Sequence, residues 1–149
     1  MRAVVQRTIG SRVLVDNQEI ARIDKGLMVL LGIKKGDSIA DADYLMDKII
    51  NLRIFPDGND KMNLSLLDIG GEVLLVSQFT LCGDARKGRR PSFSDAELPD
   101  AALPLFEYCT AQLQQAGVNV QTGEFGADMI VKINNDGPCT ILLDSARQF

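Results

Sequence analysis

Over the first third of the chain, short apolar pieces of strand length alternate with turn signals. Residues 3–5, 13–15 and 20–23 are β-prone and are separated by Gly10-Ser11 and Asp16-Asn17, so this region predicts two or three antiparallel strands. Residues 27–33 are apolar without interruption, between Gly26 and Lys34-Lys35-Gly36-Asp37, which suits a strand buried on both faces and central in a sheet. The period then changes. Ser38 offers an N-cap, Asp41 and Asp43 sit in an acidic first turn, and Ile39, Ala42, Met46, Ile49 and Ile50 recur at helical spacing, predicting a helix over residues 39–51. Pro56-Asp57-Gly58 is turn chemistry; residues 62–67 read as a short strand and residues 72–81 as a strong one. A second main helix is expected to begin between Asp100 and Pro104 and run to about residue 115. It would carry Leu103, Phe106, Thr110 and Leu113 on one stripe, with Gly117 as its stop. Strands over 118–121, 129–133 and 140–143 complete the list. No repeat or linker interrupts the pattern, which predicts one compact β-rich α+β domain over residues 1–149, its sheet mostly antiparallel and barrel-like, with two main helices.

The length of 149 residues suits a single domain, which buries roughly 68–70% of its unfolded surface and needs neither metal nor disulfide to hold a core. An apolar fraction of 46% agrees, and the formal charge of −4 makes the surface mildly acidic. The chain has no histidine, which excludes Ser-His-Asp and Cys-His catalysis, imidazole metal ligands and imidazole acid–base work near neutral pH. Cys82, Cys109 and Cys139 are odd in number, widely spaced and form no C-x-x-C pair, so neither a disulfide framework nor a zinc site is expected. The expectation is a cytoplasmic protein without metal or cofactor. No apolar run reaches the roughly 18 residues a membrane helix needs, and none follows the two early arginines as a secretion signal would require.

Three segments are candidates for chemistry. Ser77-Gln78-Phe79-Thr80-Leu81 closes the predicted strong strand, where alternation would put Gln78 and Thr80 on one face. Polar groups at the end of a buried strand either face a site or satisfy backbone groups as the sheet gives way to a loop. Asn134-Asn135-Asp136-Gly137-Pro138-Cys139-Thr140 reads as a turn between two apolar strands. It is either a plain tight connection or, with a cis bond before Pro138, a device that redirects carbonyls toward an ammonium group. The loop over 83–91 holds Arg86, Lys87, Arg89 and Arg90, the one concentration of positive charge, either solvated or a phosphate contact.

Taken together, these segments resemble the D-aminoacyl-tRNA deacylase family of the bacterial and eukaryotic type. The likeness begins at Met1-Arg2-Ala3-Val4-Val5-Gln6-Arg7 and continues through Asp41-Ala42-Asp43-Tyr44-Leu45 and Asn51-Leu52-Arg53-Ile54-Phe55. It takes in Lys61-Met62-Asn63-Leu64-Ser65, the Ser77 to Leu81 motif, Arg89-Arg90-Pro91-Ser92-Phe93 and Asn135-Asp136-Gly137-Pro138-Cys139-Thr140, in the family's order. Cys139 departs mildly from the family, which more often has a bulkier apolar residue there.

The resemblance implies hydrolysis of the ester joining a D-amino acid, or mischarged glycine, to the terminal adenosine of tRNA. It implies a homodimer in which each site receives the Gly137-Pro138 segment of the other subunit, with that bond cis. Carbonyls there would grip the α-ammonium, so an L side chain strikes the pocket wall while a D side chain points outward. The face of Gln78 and Thr80 would form the other wall, with Phe79 in the same catalytic motif, Ser77 binding substrate, and Phe125, Gly126 and Met129 near the adenosine. Thr80 as nucleophile would need a base that the chain lacks. The family is better described by water activation through the terminal 2′-hydroxyl, with backbone N–H groups near Phe79 and Thr80 holding the ester carbonyl. Arg7 is either a support behind the Gly-Pro segment or a solvated arginine ending an edge strand. Two rivals are a small-molecule esterase using Thr80 or a cysteine, and a non-catalytic RNA-binding dimer.

Overall fold

The first segment forms one fourteen-residue strand, β1 (Arg2–Val15), instead of two shorter ones. In the computed structural model, which describes residues 1–148, this strand is the spine of the sheet. Along one edge it pairs antiparallel with β8 (Ile130–Asp144). Along the other edge its first half pairs with β3 (Gly26–Gly32) and its second half with β2 (Gln18–Ile23), both antiparallel. Gly10-Ser11 does not break β1 because the local polar groups are satisfied inside: the buried Thr8 and Ser11 hydroxyls share a 2.8 Å hydrogen bond, and the Gly10 N–H donates to Thr8 Oγ1. Asp16 and Asn17 do turn the chain, with φ of 49° and 63°, the pair of positive values a type I′ hairpin requires.

β3 is central and almost wholly buried, as its apolar run predicts. Beyond it lie β6 (Glu72–Ser77) and β7 (Asn119–Thr122), each parallel to its neighbour. The sheet is therefore mixed and barrel-like, in the order β2-β1-β3-β6-β7 with β8 also on β1; its three pairings to β1 are antiparallel, as expected, and the other two are parallel. The cause lies in the connections: β3 to β6 and β6 to β7 each pass through a helix, the crossover a parallel pair needs.

Helix α1 (Ile39–Asn51) forms where the periodicity places it, and the Ser38 N–H and hydroxyl donate to the Asp41 carboxylate at 2.8 and 2.9 Å. Residues 62–67 do not form one strand. They divide into β5 (Met62–Leu64), paired with β4 (Phe55–Pro56), and the start of the one-turn helix α2 (Leu66–Ile69). Ser65 and Asp68 box its start and Gly70, at φ 58°, closes it, so there are three helices rather than two. Helix α3 (Pro99–Gln115) begins earlier than expected, with Pro99 in its first turn, where a missing N–H costs nothing. Its buried stripe is Ala102, Phe106, Cys109 and Leu113; Leu103 lies 37% exposed beside it, and half-buried Thr110 returns its hydroxyl to the Phe106 carbonyl.

Alternation along β3 and β6 sorts the core. Leu27, Val29, Val73 and Leu75 join the helices in the larger cluster, while Met28, Leu74 and Val76 meet Val13, Ala21 and Ile23 in the smaller one. The three cysteines are free and buried. Among the described residues no helix is long and apolar enough to cross a membrane.

Candidate active site

The strand expected to reach Leu81 ends at Ser77; Gln78 leaves the extended region and Phe79–Cys82 wind into a 3₁₀ turn. Gly32 makes the turn possible. A Cβ there would lie 2.9 Å from the Gln78 carbonyl oxygen and 3.0 Å from Leu81 Cβ, so the chain folds over a position that has no side chain. The expectation that strand alternation puts Gln78 and Thr80 on one face fails with the strand. The turn pairs them by another route, with Gln78 Nε2 donating to Thr80 Oγ1 at 2.5 Å. The N–H groups of Phe79 and Thr80 open the turn, where no preceding helical carbonyl can accept from them.

Ser77, Gln78 and Phe79 line a cavity of about 540 Å³ whose other wall is Phe125, Gly126 and Met129. Leu31, Val76 and Val131 give it an apolar floor, and Glu97 and Asp128 add two carboxylates. Phe125 is anchored in the core against Phe106, ring centroids 5.7 Å apart. Thr80 is exposed and lies outside the lining, and Phe79 is 57% exposed. Residues separated by about fifty positions thus meet because β6 and the segment after β7 lie side by side, with the Gly123 N–H donating to the Leu75 carbonyl at 3.1 Å.

Gly137 and Pro138 do not line this cavity. Nor do they form a turn between two strands. β8 continues through them, because both of its halves pair with the same partner, β1. Gln6 faces Thr140 and Thr8 faces Asn135, so Arg7 alone stands opposite residues 136–139, which bulge out of the ladder. The Gly137–Pro138 peptide bond is cis, and both residues are exposed. Asn135 clasps the bulge, accepting from the Cys139 N–H at 3.2 Å and donating to Thr140 Oγ1 at 2.9 Å.

Arg7 is not at the end of an edge strand; it sits inside β1 with its side chain only 12% exposed. Nη1 donates to the Ile54 carbonyl at 2.7 Å, and Nε lies 2.9 Å from Asp136 Oδ2, an ion pair in which the N–H is not aimed at the oxygen. Gly137 has φ +118°, and a Cβ on it would come within 2.9 Å of Arg7 Nη2. The roles of Asn135 and of the Ile54 carbonyl escape the sequence, where Asn-Asp before Gly-Pro reads only as turn composition.

The basic loop springs from the 3₁₀ turn and is pinned at both ends: Asp84 pairs with Ser92 as a β-bridge, and Phe93 meets Phe79 edge-to-face with centroids 5.3 Å apart. Arg86 is committed within the loop. Its guanidinium and backbone N–H bind Asp84, holding that carboxyl far below the usual carboxylate range. Lys87, Arg89 and Arg90 are exposed, with no carboxylate within 4 Å among the described residues. Burial pushes the Cys109 thiol up to about 12 and raises that of Cys82. Neither supplies a thiolate near neutral pH.

A family model described as D-Tyr-tRNA(Tyr) deacylase matches residues 4–144. The chain is 68% identical over 149 residues to the D-aminoacyl-tRNA deacylase of Syntrophomonas wolfei subsp. wolfei, covering 100% of both proteins. It is 59% identical to that of Clostridioides difficile, again over 100% of each. Among solved structures it is similar to the c-Myc DNA Unwinding Element Binding Protein, with a TM-score of 0.92 and 38% identity, covering 97% of this chain and 98% of the other.

Proposed function

The chain belongs to the D-aminoacyl-tRNA deacylase family and is a hydrolase of D-aminoacyl-tRNA; from that premise we propose how its residues cleave the ester and reject L substrates. The single observation that carries the reading is a divided site: one chain holds a cavity walled by Ser77, Gln78 and Phe79, and displays Gly137 and Pro138 outside it. A second copy completes the site by inserting its own Gly137-Pro138 bulge, so the working form is a homodimer. The exposure of Phe79 and Leu142, at 57% and 55%, supports apolar contact between copies.

The terminal adenosine lies against Phe125, Gly126 and Met129, and the ester reaches Ser77, Gln78 and Phe79. Carbonyls of the inserted bulge accept from the substrate's α-ammonium. With ammonium and ester both fixed, inverting the α-carbon exchanges side chain and hydrogen, so an L side chain meets the wall and glycine has nothing to clash. The Phe79 and Thr80 N–H groups hold the ester carbonyl as negative charge develops on it. Thr80 already accepts from the Gln78 amide, which is not a base, so its hydroxyl has no activating partner there. The terminal 2′-hydroxyl of the RNA activates the water, and the protein contributes orientation. Lys87, Arg89 and Arg90, on the loop that springs from the Phe79 turn, serve as phosphate contacts, with Arg86 bracing the loop. The setting is the cytoplasm, where charged tRNA is found.

Release of amino acid from matched D-, L- and glycyl-tRNA by the purified protein tests the reading. D and glycyl esters should be cleaved and L esters spared. Comparable cleavage of free D-amino-acid esters would favour the small-molecule esterase, and tRNA binding without release the non-catalytic dimer. Thr80→Ala should impair deacylation less than a 2′-deoxy terminal adenosine does; the reverse ranking would restore Thr80 as nucleophile.

A further inference from the structure

A second concentration of positive charge is invisible in the sequence because its members come from three strands. Arg22 on β2 stands directly opposite Arg12 on β1, and Arg12 stands directly opposite Lys132 on β8. Residues directly opposite in adjacent strands point to the same face, so the three cations form one row across the sheet. The row edges a concavity of about 270 Å³ that Gly10, Ser11 and Asn134 also line. All three basic residues and Asn134 are exposed.

Like charges directly opposite one another destabilise a sheet unless something compensates them. Compensation within the chain is thin. Glu19 lies 3.4 Å from Arg12, and Asp24 lies 3.7 Å from Arg22 with 81% of its side chain exposed. Lys132 has no carboxylate within 4 Å among the described residues. This occurs on a chain whose net charge is −4, so the row runs against the overall balance. A hollow lined by two guanidinium forks, an ammonium and a carboxamide, with no apolar side chain among its lining residues, matches tetrahedral oxyanions and offers little to a peptide. A second copy of the chain is a poor occupant, since a two-fold contact over this row would set like charges against each other.

Position points the same way. Lys132 and Asn134 share the outward face of β8, and Asn134 precedes the Gly137 bulge, the segment proposed to enter the partner's site, on the same strand. At about 3.3–3.4 Å per strand residue, Lys132 lies within roughly 17 Å of Gly137 along the strand. We propose that Arg12, Arg22 and Lys132 form a docking row for the phosphate backbone of the tRNA whose 3′ end is being deacylated. This rests on the deacylase reading above. The row carries no base specificity, so it would serve tRNAs of any sequence and add affinity that a short substrate cannot use.

The magnitude follows from counterion release. Three phosphate contacts at a slope of about 0.7–0.9 each should make tRNA affinity fall about 20- to 40-fold between 50 and 200 mM salt through this row alone. The test compares wild type with R12Q/R22Q/K132Q on two substrates, full-length D-aminoacyl-tRNA and 3′-D-aminoacyl-adenosine, and measures binding of uncharged tRNA against salt. The row is supported if the triple variant raises KM for the charged tRNA tenfold or more at unchanged kcat. Turnover of the adenosine ester should stay within twofold, and the salt slope should fall by about two to three. R12K/R22K should restore most of the slope, because ion release depends on charge. An unchanged KM and slope in the triple variant would overturn the proposal, as would an equal loss on both substrates, which would mark a structural defect. K87Q/R89Q/R90Q, made alongside, assigns any remaining slope to the loop. If wild type bound tRNA but cleaved neither ester, the mechanism would fall, while the slope comparison would still decide the row.

Discussion

Replacing Arg7 tests whether the bulge is held from the strand behind it. The guanidinium is 12% exposed, donates to the Ile54 carbonyl at 2.7 Å, lies 2.9 Å from Asp136 Oδ2 and fills the space a Cβ on Gly137 would need. Arg7→Ala removes a charged hydrogen bond, a loss of about 1.5–3 kcal/mol. It also removes an ion pair to a carboxylate that is 40% exposed, which solvent screening limits to about 1 kcal/mol or less. The total of about 2–4 kcal/mol corresponds to a fall in Tm of roughly 4–16 °C for a chain of this size. Arg7→Lys is more informative, because one ammonium keeps the charge but lacks the fork that serves Ile54 and Asp136 together. It should lower Tm by less. Well below its melting range it should still reduce kcat/KM on D-aminoacyl-tRNA tenfold or more, about 1.4 kcal/mol of transition-state stabilisation, and narrow the preference for D over L. Circular dichroism melts and paired D and L deacylation rates measure both effects. A lysine variant with lowered Tm but wild-type rate and D:L ratio would refute the coupling between Arg7 and the stereochemical filter.

Three further outcomes follow from the geometry. The Ser65 backbone N–H, and then its hydroxyl, hold the Asp68 carboxyl below its ordinary value. Its stabilising contribution is therefore complete above the unfolded value near 3.9 and lost as pH falls through the lower folded value. In melts from pH 7 to pH 2, Asp68→Asn should flatten part of the acid limb, and Ser65→Ala should lower Tm at both ends but by more at pH 7, because its hydroxyl still caps the Asp68 N–H when the carboxyl is protonated. Because burial raises both Cys82 and Cys109 and keeps Cys139 only 7% exposed, iodoacetamide at pH 8 should leave the activity of the folded enzyme unchanged; rapid inactivation that persists in Cys139→Ala would revive a cysteine nucleophile. Gly26→Ala would put a Cβ 1.9 Å from the Glu72 carbonyl oxygen, a backbone atom that cannot rotate away, where β3 and β6 begin to pair. It should cost more than about 3 kcal/mol, and a wild-type denaturant midpoint would contradict the packing.

What the sequence made legible was what short-range chemistry decides. The span of α1 follows from Ser38, Asp41 and one apolar stripe, and the hairpin at Asp16-Asn17 from two residues that tolerate positive φ. Where a distant partner decides, local signals mislead. Gly10-Ser11 looks like a break, yet β8 and the buried Thr8–Ser11 pair carry β1 through it. Residues 134–140 look like a hairpin turn, yet both flanks pair with β1, and the excess residues become a bulge. The strand before Gln78 stops because Gly32, forty-odd residues earlier, leaves room for the chain to fold over it. Only Ser65-x-x-Asp68 was a local signal passed over, hidden by the apolar residues around it. Resemblance singled out the candidate motifs, but their separation into a cavity and an exposed bulge is a property of register.

Strand β8 shows why the candidate sites lie close together. Its period of two sends Val131 and Ile133 toward the smaller core cluster while Ile130, Lys132 and Asn134 face out. The inward positions fix the strand against the cavity wall, and the outward ones leave charge and apolar surface free for partners. Two residues later the bulge abandons that alternation and leaves Gly137 and Pro138 exposed outside the ladder. A chain without histidine has few side chains able to move protons near neutral pH, and the proposed mechanism therefore relies on backbone oxygens, backbone N–H groups and the substrate's own hydroxyl. Those groups are useful only when rigidly placed. A long strand paired on both sides of its irregularity, and braced there by a buried guanidinium, supplies that rigidity.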